Sequence, residues 1–324
     1  DEKTPFYTNP KADVVREIIG SFRKDGFKIG IYFSKPDWHN KDYWSDYFTT
    51  LDHNVNYDPQ IYPEKWQNYV RFTQDQIMEL MTNYGEIDIL WLDGGWVAKQ
   101  DPEAMKDFYH NALSNSISGF LKQKIVSQDI QMNKIAAMAR VKQPGLIVVD
   151  RAVPGVNENY LTPENRVPEH MIPFPWESCI TATSSWSYTP NDTYKSTRQL
   201  IHILVDIVSK GGNLLLNIAP GPNGDWNATA YERLHEIGNW MQVNGEGIYA
   251  TRPFTVYGEG PDIFREGVRE RAEERGYDYS KFGRDLAGYT DKHLRYTQSK
   301  DGKTVYAFQL GWPQSGSVVF KALA

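Results

Sequence analysis

Residues 87–96 read IDILWLDGGW: a run of strand-forming apolar side chains (Ile87, Ile89, Leu90, Trp91, Leu92) closes on one acid, Asp93, and breaks at once on Gly94 and Gly95. A continuous apolar run of this length, bounded by turn residues, reads as a buried strand. Its terminal acid is either delivered into a site or serves as a structural cap, and this stretch alone leaves both readings open.

Upstream, Trp66, Tyr69, Val70, Thr73, Ile77, Leu80, Met81 and Tyr84 recur at spacings of three and four, which predicts a helix that Gly85 ends. Residues 27–34 (FKIGIYFS) form a second predicted strand, preceded by a helix that opens at Asn9-Pro10, carries Val14, Val15, Ile18, Ile19 and Phe22, and stops at Gly26. A long aromatic loop then runs to about residue 63, and loops of that length tend to be functional. Downstream, residues 101–127 read as a polar, weakly helical surface insertion, and a helix is predicted over 130–141.

Residues 146–151 (LIVVDR) predict a strand ending in an acid and a base, with Asp150 and Arg151 expected to orient one another. Further strands are predicted over 174–183 and 212–218, and further helices over 197–208 and 230–243. Strands alternating with helices imply a parallel sheet with its active residues at the strand C-termini, an α/β fold of the TIM (β/α) barrel type. The strands read here number five, fewer than the eight of a closed barrel. Beyond Gly247 a charged stretch at 262–284 reads as surface or mobile, and TVYAFQL (304–310) and SVVFKAL (317–323) read as strands opening a small β domain. The expected organisation is a catalytic region at 1–250, then a linker and partial C-terminal β domain at 251–324.

The chain has 324 residues, 40% hydrophobic and 23% charged, as expected of a globular protein, and its longest apolar runs are too short to span a bilayer. A net charge of -6 without a basic cluster argues against a nucleic-acid partner and for a neutral ligand. The single cysteine, Cys179, excludes an internal disulfide and a cysteine-rich metal site. The chain starts at Asp1 without an initiator Met or a signal-like segment, so it is expected to have been processed or cut from a longer protein. Aromatics reach 14%, with 10 Trp and 20 Tyr, and flat rings with polar tips suit sugars as well as cores.

Carboxylates gather at predicted strand ends: Asp93, Asp150, Glu164 and Glu177. Hydrolysis of a glycosidic bond uses two carboxyl groups, one on the anomeric carbon and one on the leaving oxygen, roughly 5 Å apart when configuration is retained. The 7 histidines are scattered without ligand spacing, so no metal site is expected. Nor is there a G-x-S-x-G elbow, a phosphate loop or a dinucleotide fingerprint. Hydrolysis of a neutral sugar is the chemistry these residues favour.

LWLDGGW, VVDR, ENYLTPE, PWESC, SWSY and GGNLLLNIAPGPNG occur here in that order. Together they resemble the α-L-fucosidases of glycoside hydrolase family 29 across most of residues 5–260, and YWSDYF, NVNYDP and NENYLTPE look most like the branch acting on α-1,3 and α-1,4 linked fucose. The resemblance implies a retaining exo-hydrolase of terminal α-linked fucose on a barrel followed by a β-sandwich, with a fucosylated glycan as partner and no metal or organic cofactor. An exported location, periplasmic, extracellular or lysosome-like, goes with it.

By position, Asp93 matches the family's nucleophile and Glu164 its acid/base in the branch whose motif is TPE. Glu177, in PWE, is the rival for the second role. Arg151 resembles a residue that contacts the sugar near the nucleophile, Tyr32 a pocket tyrosine, and Trp186 the aromatic that packs on the fucose methyl. Family members also carry an opening strand with a pocket histidine and a second strand ending in His-His-Asp-Gly, and neither matches this chain. The resemblance thus implies a barrel lacking its first two βα units, and leaves an inactive fragment or a sugar-binding protein of the same fold as the alternative.

Overall fold

The computed structural model describes residues 5–48, 53–114, 126–151, 156–261 and 288–324. The charged stretch at 262–284 and most of the distal half of the 101–127 insertion lie outside them. The chain divides into two compact units, Asp1–Asn159 and Tyr160–Ala324.

In the first unit, helix α1 (Val14–Lys24) precedes β1 (Gly30–Ser34), α2 (Pro63–Asn83), β2 (Ile89–Asp93), α3 (Pro102–Ser114), α4 (Met132–Lys142) and β3 (Ile147–Asp150). The three strands form one parallel sheet in the order β1-β2-β3, with Ser34 level with Asp93, and Leu92 level with Asp150. Successive strand residues point to opposite faces. Leu90, Leu92 and Val148 thus enter the core beneath the sheet, where they join Tyr69, Val70, Ile77 and Met81 of α2 and Ile135 and Ala139 of α4.

Helix α1 starts at Asp13, not at Asn9-Pro10, because the Asp13 carboxylate accepts from the Arg16 backbone N–H and satisfies one of the first turn's unpaired donors. Its apolar stripe is not a core face in this structure: Ile19 is buried, whereas Val14, Val15, Ile18 and Phe22 are exposed.

The second unit holds β4 (Glu177–Thr181), α5 (Thr197–Ser209), β5 (Asn213–Asn217), α6 (Ala228–Asn244), β6 (Thr251–Glu259), β7 (Leu294–Ser299) and β8 (Val305–Gln309). β4 and β5 pair in parallel, and β6-β7-β8 form an antiparallel sheet. Gly212, just before β5, is level with the fully buried Trp176, and a Cβ there would lie 2.4 Å from the indole ring. The indole ring thus occupies the space that a side chain at this position would need.

Strand β4 is shorter than the 174–183 predicted, and at its start Pro175 has no N–H to donate to a ladder. SVVFKAL is irregular and ends in a short 3-10 turn (Lys321–Leu323), with Val319 exposed. A strand that sequence reading passed over, β6, is the longest in the sheet; it bends between Pro253 and Gly258, where the pairing register shifts.

The antiparallel sheet is fastened to α5 by a buried charge cluster. Asp206 on α5 accepts from Lys210 Nζ at 3.0 Å, from the Tyr289 hydroxyl at 2.7 Å and from Arg295 Nε of β7. Burial alone would raise Asp206, but the two cations and the hydrogen bonds hold it below its ordinary value. The Tyr257 ring of β6 packs against both cations, 5.2 Å from Lys210 and 5.7 Å from Arg295.

Candidate active site

Asp93 closes β2 at its C-terminal end. Strand alternation places its side chain on the face opposite Leu90 and Leu92, together with Trp91 and with Tyr32 of β1. One carboxylate oxygen accepts from the Tyr32 hydroxyl at 2.5 Å and the other from Arg151 Nη1 at 3.1 Å. Behind them the Tyr32 and Trp91 rings stack 5.6 Å apart, and the Arg151 guanidinium lies 5.4 Å from the centre of the indole. Loss of hydration, then the Asp93 carboxylate, pushes the Tyr32 phenol up to about 12, so it remains a donor across the physiological range. Asp93 keeps partial access to solvent, with 25% of its side chain exposed.

The turn after Asp93 has one narrow backbone solution. Gly94 adopts φ +85°, where a side chain is strained, and a Cβ there would also fall 2.5 Å from Pro36 Cδ. The Lys35 N–H donates to the Asp93 carbonyl and the Arg151 N–H to the Leu92 carbonyl, both at 3.0 Å. The backbone on both sides of the acid is thereby pinned by the strands that flank it.

Asp150 and Arg151, expected to orient one another, reach different partners. Arg151 bonds Asp93, while Asp150 points to the opposite face and meets Lys35 Nζ at 2.5 Å in a buried ion pair, the side chains 6% and 0% exposed. Burial pushes Asp150 up and Lys35 down, and each charge partly restores the other. Glu158 faces the same ammonium: burial, then the Asp150 charge, lifts its carboxyl to about 7, and its Oε1 is buried with no hydrogen-bond donor.

In the second unit, Glu164 pairs in a parallel bridge with Cys179 of β4, and its Oε1 accepts from the Trp186 indole N–H at 2.9 Å. The loop that carries it is fixed by Asn165, at φ 50°, whose N–H donates to the Cys179 carbonyl at 2.8 Å and whose Oδ1 accepts from the Thr181 N–H at 3.0 Å. Cys179 is buried, its thiol 3.6 Å from the Pro163 carbonyl. A cavity of about 850 Å³ opens beside Glu164, lined also by Thr181, Trp186, Lys195, Arg198 and Gln199. Glu177 opens β4, two residues before Cys179, and accepts from the Tyr160 hydroxyl at 3.4 Å. Glu164 and Trp186 are thus in direct contact.

Gln128, buried and overlooked in the sequence, organises the aromatic loop. Its Oε1 accepts from the Tyr43 hydroxyl at 3.0 Å, and its Nε2 donates to Asn54 Oδ1 at 2.6 Å and the Trp96 carbonyl at 3.2 Å. Much of that loop is therefore scaffold, although Trp38 remains half-exposed, stacked between Trp44 and His53. A polar residue in an irregular segment carries no periodic signal that could have marked it. Among the described residues, no group of three or more His, Cys, Asp or Glu side chains comes together to hold a metal ion, and no helix is long and apolar enough to cross a membrane.

The parallel strand-helix-strand order of the first unit thus presents an acid at a strand C-terminus, clasped by a phenol and a guanidinium over aromatic rings. The chain belongs to the alpha-L-fucosidase family of glycosidases, whose model matches residues 4–246. It is 26% identical to the human plasma alpha-L-fucosidase over 316 residues, 95% of this chain and 54% of that protein. It is 27% identical to the Dictyostelium discoideum alpha-L-fucosidase over 252 residues, 77% of this chain and 48% of that one. The chain spans about half the length of the curated relatives it matches.

Among solved structures, alpha-L-fucosidase isoenzyme 1 from Paenibacillus thiaminolyticus superposes with TM-score 0.59 at 26% identity, covering 89% of this chain and 58% of that one. A Bacteroides thetaiotaomicron alpha-L-fucosidase, trapped as a covalent intermediate with 2-fluoro-fucosyl fluoride, shares the fold at 19% identity and TM-score 0.60, covering 92% of this chain and 60% of that one.

Proposed function

We propose that this chain acts as a retaining exo-α-L-fucosidase on terminal α-linked fucose of oligosaccharides or glycoconjugates. The observation that carries the reading is Asp93 at the end of β2, held on one oxygen by Tyr32 and on the other by Arg151. In the first step an Asp93 oxygen attacks the anomeric carbon, the bond to the leaving sugar breaks, and Glu164 gives its proton to the departing oxygen. In the second, Glu164 takes a proton from water as that water attacks the same carbon, and Asp93 is released.

Glu164 is preferred to Glu177 because its carboxylate accepts from Trp186 and borders a cavity, whereas Glu177 sits at the N-terminal start of its strand. Trp186 then packs on the fucose methyl, and Tyr32 and Arg151 hold the sugar near the nucleophile. The TPE motif at 162–164 supports the α-1,3/1,4 branch. The parallel strand-helix order within each unit supports a (β/α) barrel, and the β6-β8 sheet supports a sandwich-type domain after it. An exported location goes with this reading.

The test is azide rescue. Asp93→Gly is expected to abolish hydrolysis of an aryl α-L-fucoside, with azide restoring turnover as a fucosyl azide. Full activity in that variant overturns the nucleophile. Glu164→Ala is expected to lose at least about 10²-fold on substrates with poor leaving groups and to be rescued by azide, and rescue of Glu177→Ala instead reverses the assignment. Fucose binding by calorimetry without turnover in the native chain favours the sugar-binding alternative.

A further inference from the structure

The face of the sheet away from Asp93 carries polar machinery that the double displacement leaves unused. Lys35 is the first residue beyond β1, and Asp150 is the last residue of β3. Between these two exits runs β2, whose final residues bond to both: the Asp93 carbonyl accepts from Lys35 N–H, and the Leu92 carbonyl from Arg151 N–H. The side chains of Lys35 and Asp150 close the arrangement beneath β2 with a 2.5 Å contact, and the Tyr69 hydroxyl of α2 fixes the Lys35 carbonyl at 2.5 Å. Asp150 is followed directly by Arg151, whose guanidinium holds the Asp93 carboxylate.

A buried ion pair is weak evidence of a stabilising role, since two charges removed from water recover little net energy, and apolar replacements of similar shape are often neutral. Stability alone therefore gives poor reason for two charges here. Geometry gives a better one, because a contact between the β1 and β3 exits fixes the two segments that aim Asp93. Reaction rate is sensitive to such aim, for a displacement of about 1 Å can cost about 10²-fold.

We propose that Lys35 and Asp150 are positioning residues, a buried strut that holds Arg151 and the Asp93 backbone in register so that the carboxylate meets the anomeric carbon in line. The proposal rests on the fucosidase reading above. Its substrate-independent consequence is that loss of the strut lowers the rate of bond formation at Asp93 while sugar affinity is retained.

The experiment measures covalent labelling of the native chain by 2-fluoro-fucosyl fluoride, followed by intact mass and peptide mapping. Lys35→Met/Asp150→Asn removes both charges while keeping side-chain length, and Asp150→Asn alone serves if the double variant loses its circular dichroism or thermal transition. The limiting labelling rate is expected to fall about 10- to 100-fold with the half-saturating concentration unchanged within about 2-fold, and Lys35→Arg is expected to restore most of the rate. Labelling of the wild type at Asp93 together with an undiminished rate in the charge-free variant overturns the strut alone. A fall in affinity at an unchanged limiting rate also overturns it. Absence of any label on the wild type overturns the nucleophile assignment, and the strut with it.

Discussion

Glu158 lies where two carboxylates face one ammonium. Asp150 takes the hydrogen bond from Lys35, and Glu158, lifted to about 7 by burial and then by Asp150, keeps its proton below that pH. The sign of the linkage follows. The folded state binds this proton more tightly than the unfolded state, so the contribution is complete below the ordinary value of 4.5 and is lost as pH rises through about 7. Thermal midpoints measured from pH 5 to 8 are expected to decline in the wild type relative to Glu158→Gln, whose side chain does not titrate. Parallel profiles for the two proteins would show that Glu158 ionises freely.

Some of this site was legible residue by residue and some was not. Asp93 stood out because an apolar, strand-forming run ended on it before two glycines, and the structure brings the Tyr32 and Arg151 side chains onto its two oxygens. Asp150, expected to act with its neighbour Arg151, instead bonds Lys35, as adjacent strand residues point to opposite faces. Its true partner, Lys35, is 115 positions away, a separation no local pattern encodes.

At the scale of elements, the strands that were readable are the buried parallel ones, whose apolar runs leave no alternative period. β6 was missed because TRPFTVYGE contains Pro253 and Gly258 and its burial does not alternate, so neither a period of two nor one of 3.6 is visible. β4 and β5 depend on a contact that sequence could not reveal, the Trp176 ring seated on Gly212. Gly212→Ala must displace a fully buried ring, and overpacking of this kind costs about 1–3 kcal/mol. A urea titration is expected to show the lower midpoint, with Trp176→Phe/Gly212→Ala recovering part of the loss. An unchanged midpoint in the single variant would mean that the strand pair relaxes around the methyl.

At the scale of the whole molecule, each unit has its own core and its own share of the charged chemistry. The first holds its acid over a core built from α2, α4 and the three-stranded sheet. The second relies on Asp206, whose carboxylate joins α5 to the antiparallel sheet through Arg295 and Tyr289. Removing one partner from such a cluster leaves two buried cations short of their counter-ion, which typically costs about 3–5 kcal/mol. Asp206→Ala is expected to unfold at correspondingly lower denaturant, and a loss under about 1 kcal/mol would show that water takes over the role of the carboxylate. No single residue type announced this cluster in advance, because Asp206 sits in an apolar helix pattern and, Lys210 apart, its partners Tyr289 and Arg295 lie more than 80 residues away.

Cys179 gives the chain a built-in timer. The backbone of Cys179 is paired on one side with the segment that bears Glu164 and on the other with β5, its residue is 3% exposed, and its thiol is the single sulfhydryl in the sequence. A disulfide reagent in solution reaches it when β4 separates from one of those neighbours. The colour released by such a reagent therefore counts openings of β4 and of the Glu164 segment beside it, in the unmodified protein and at any sugar concentration.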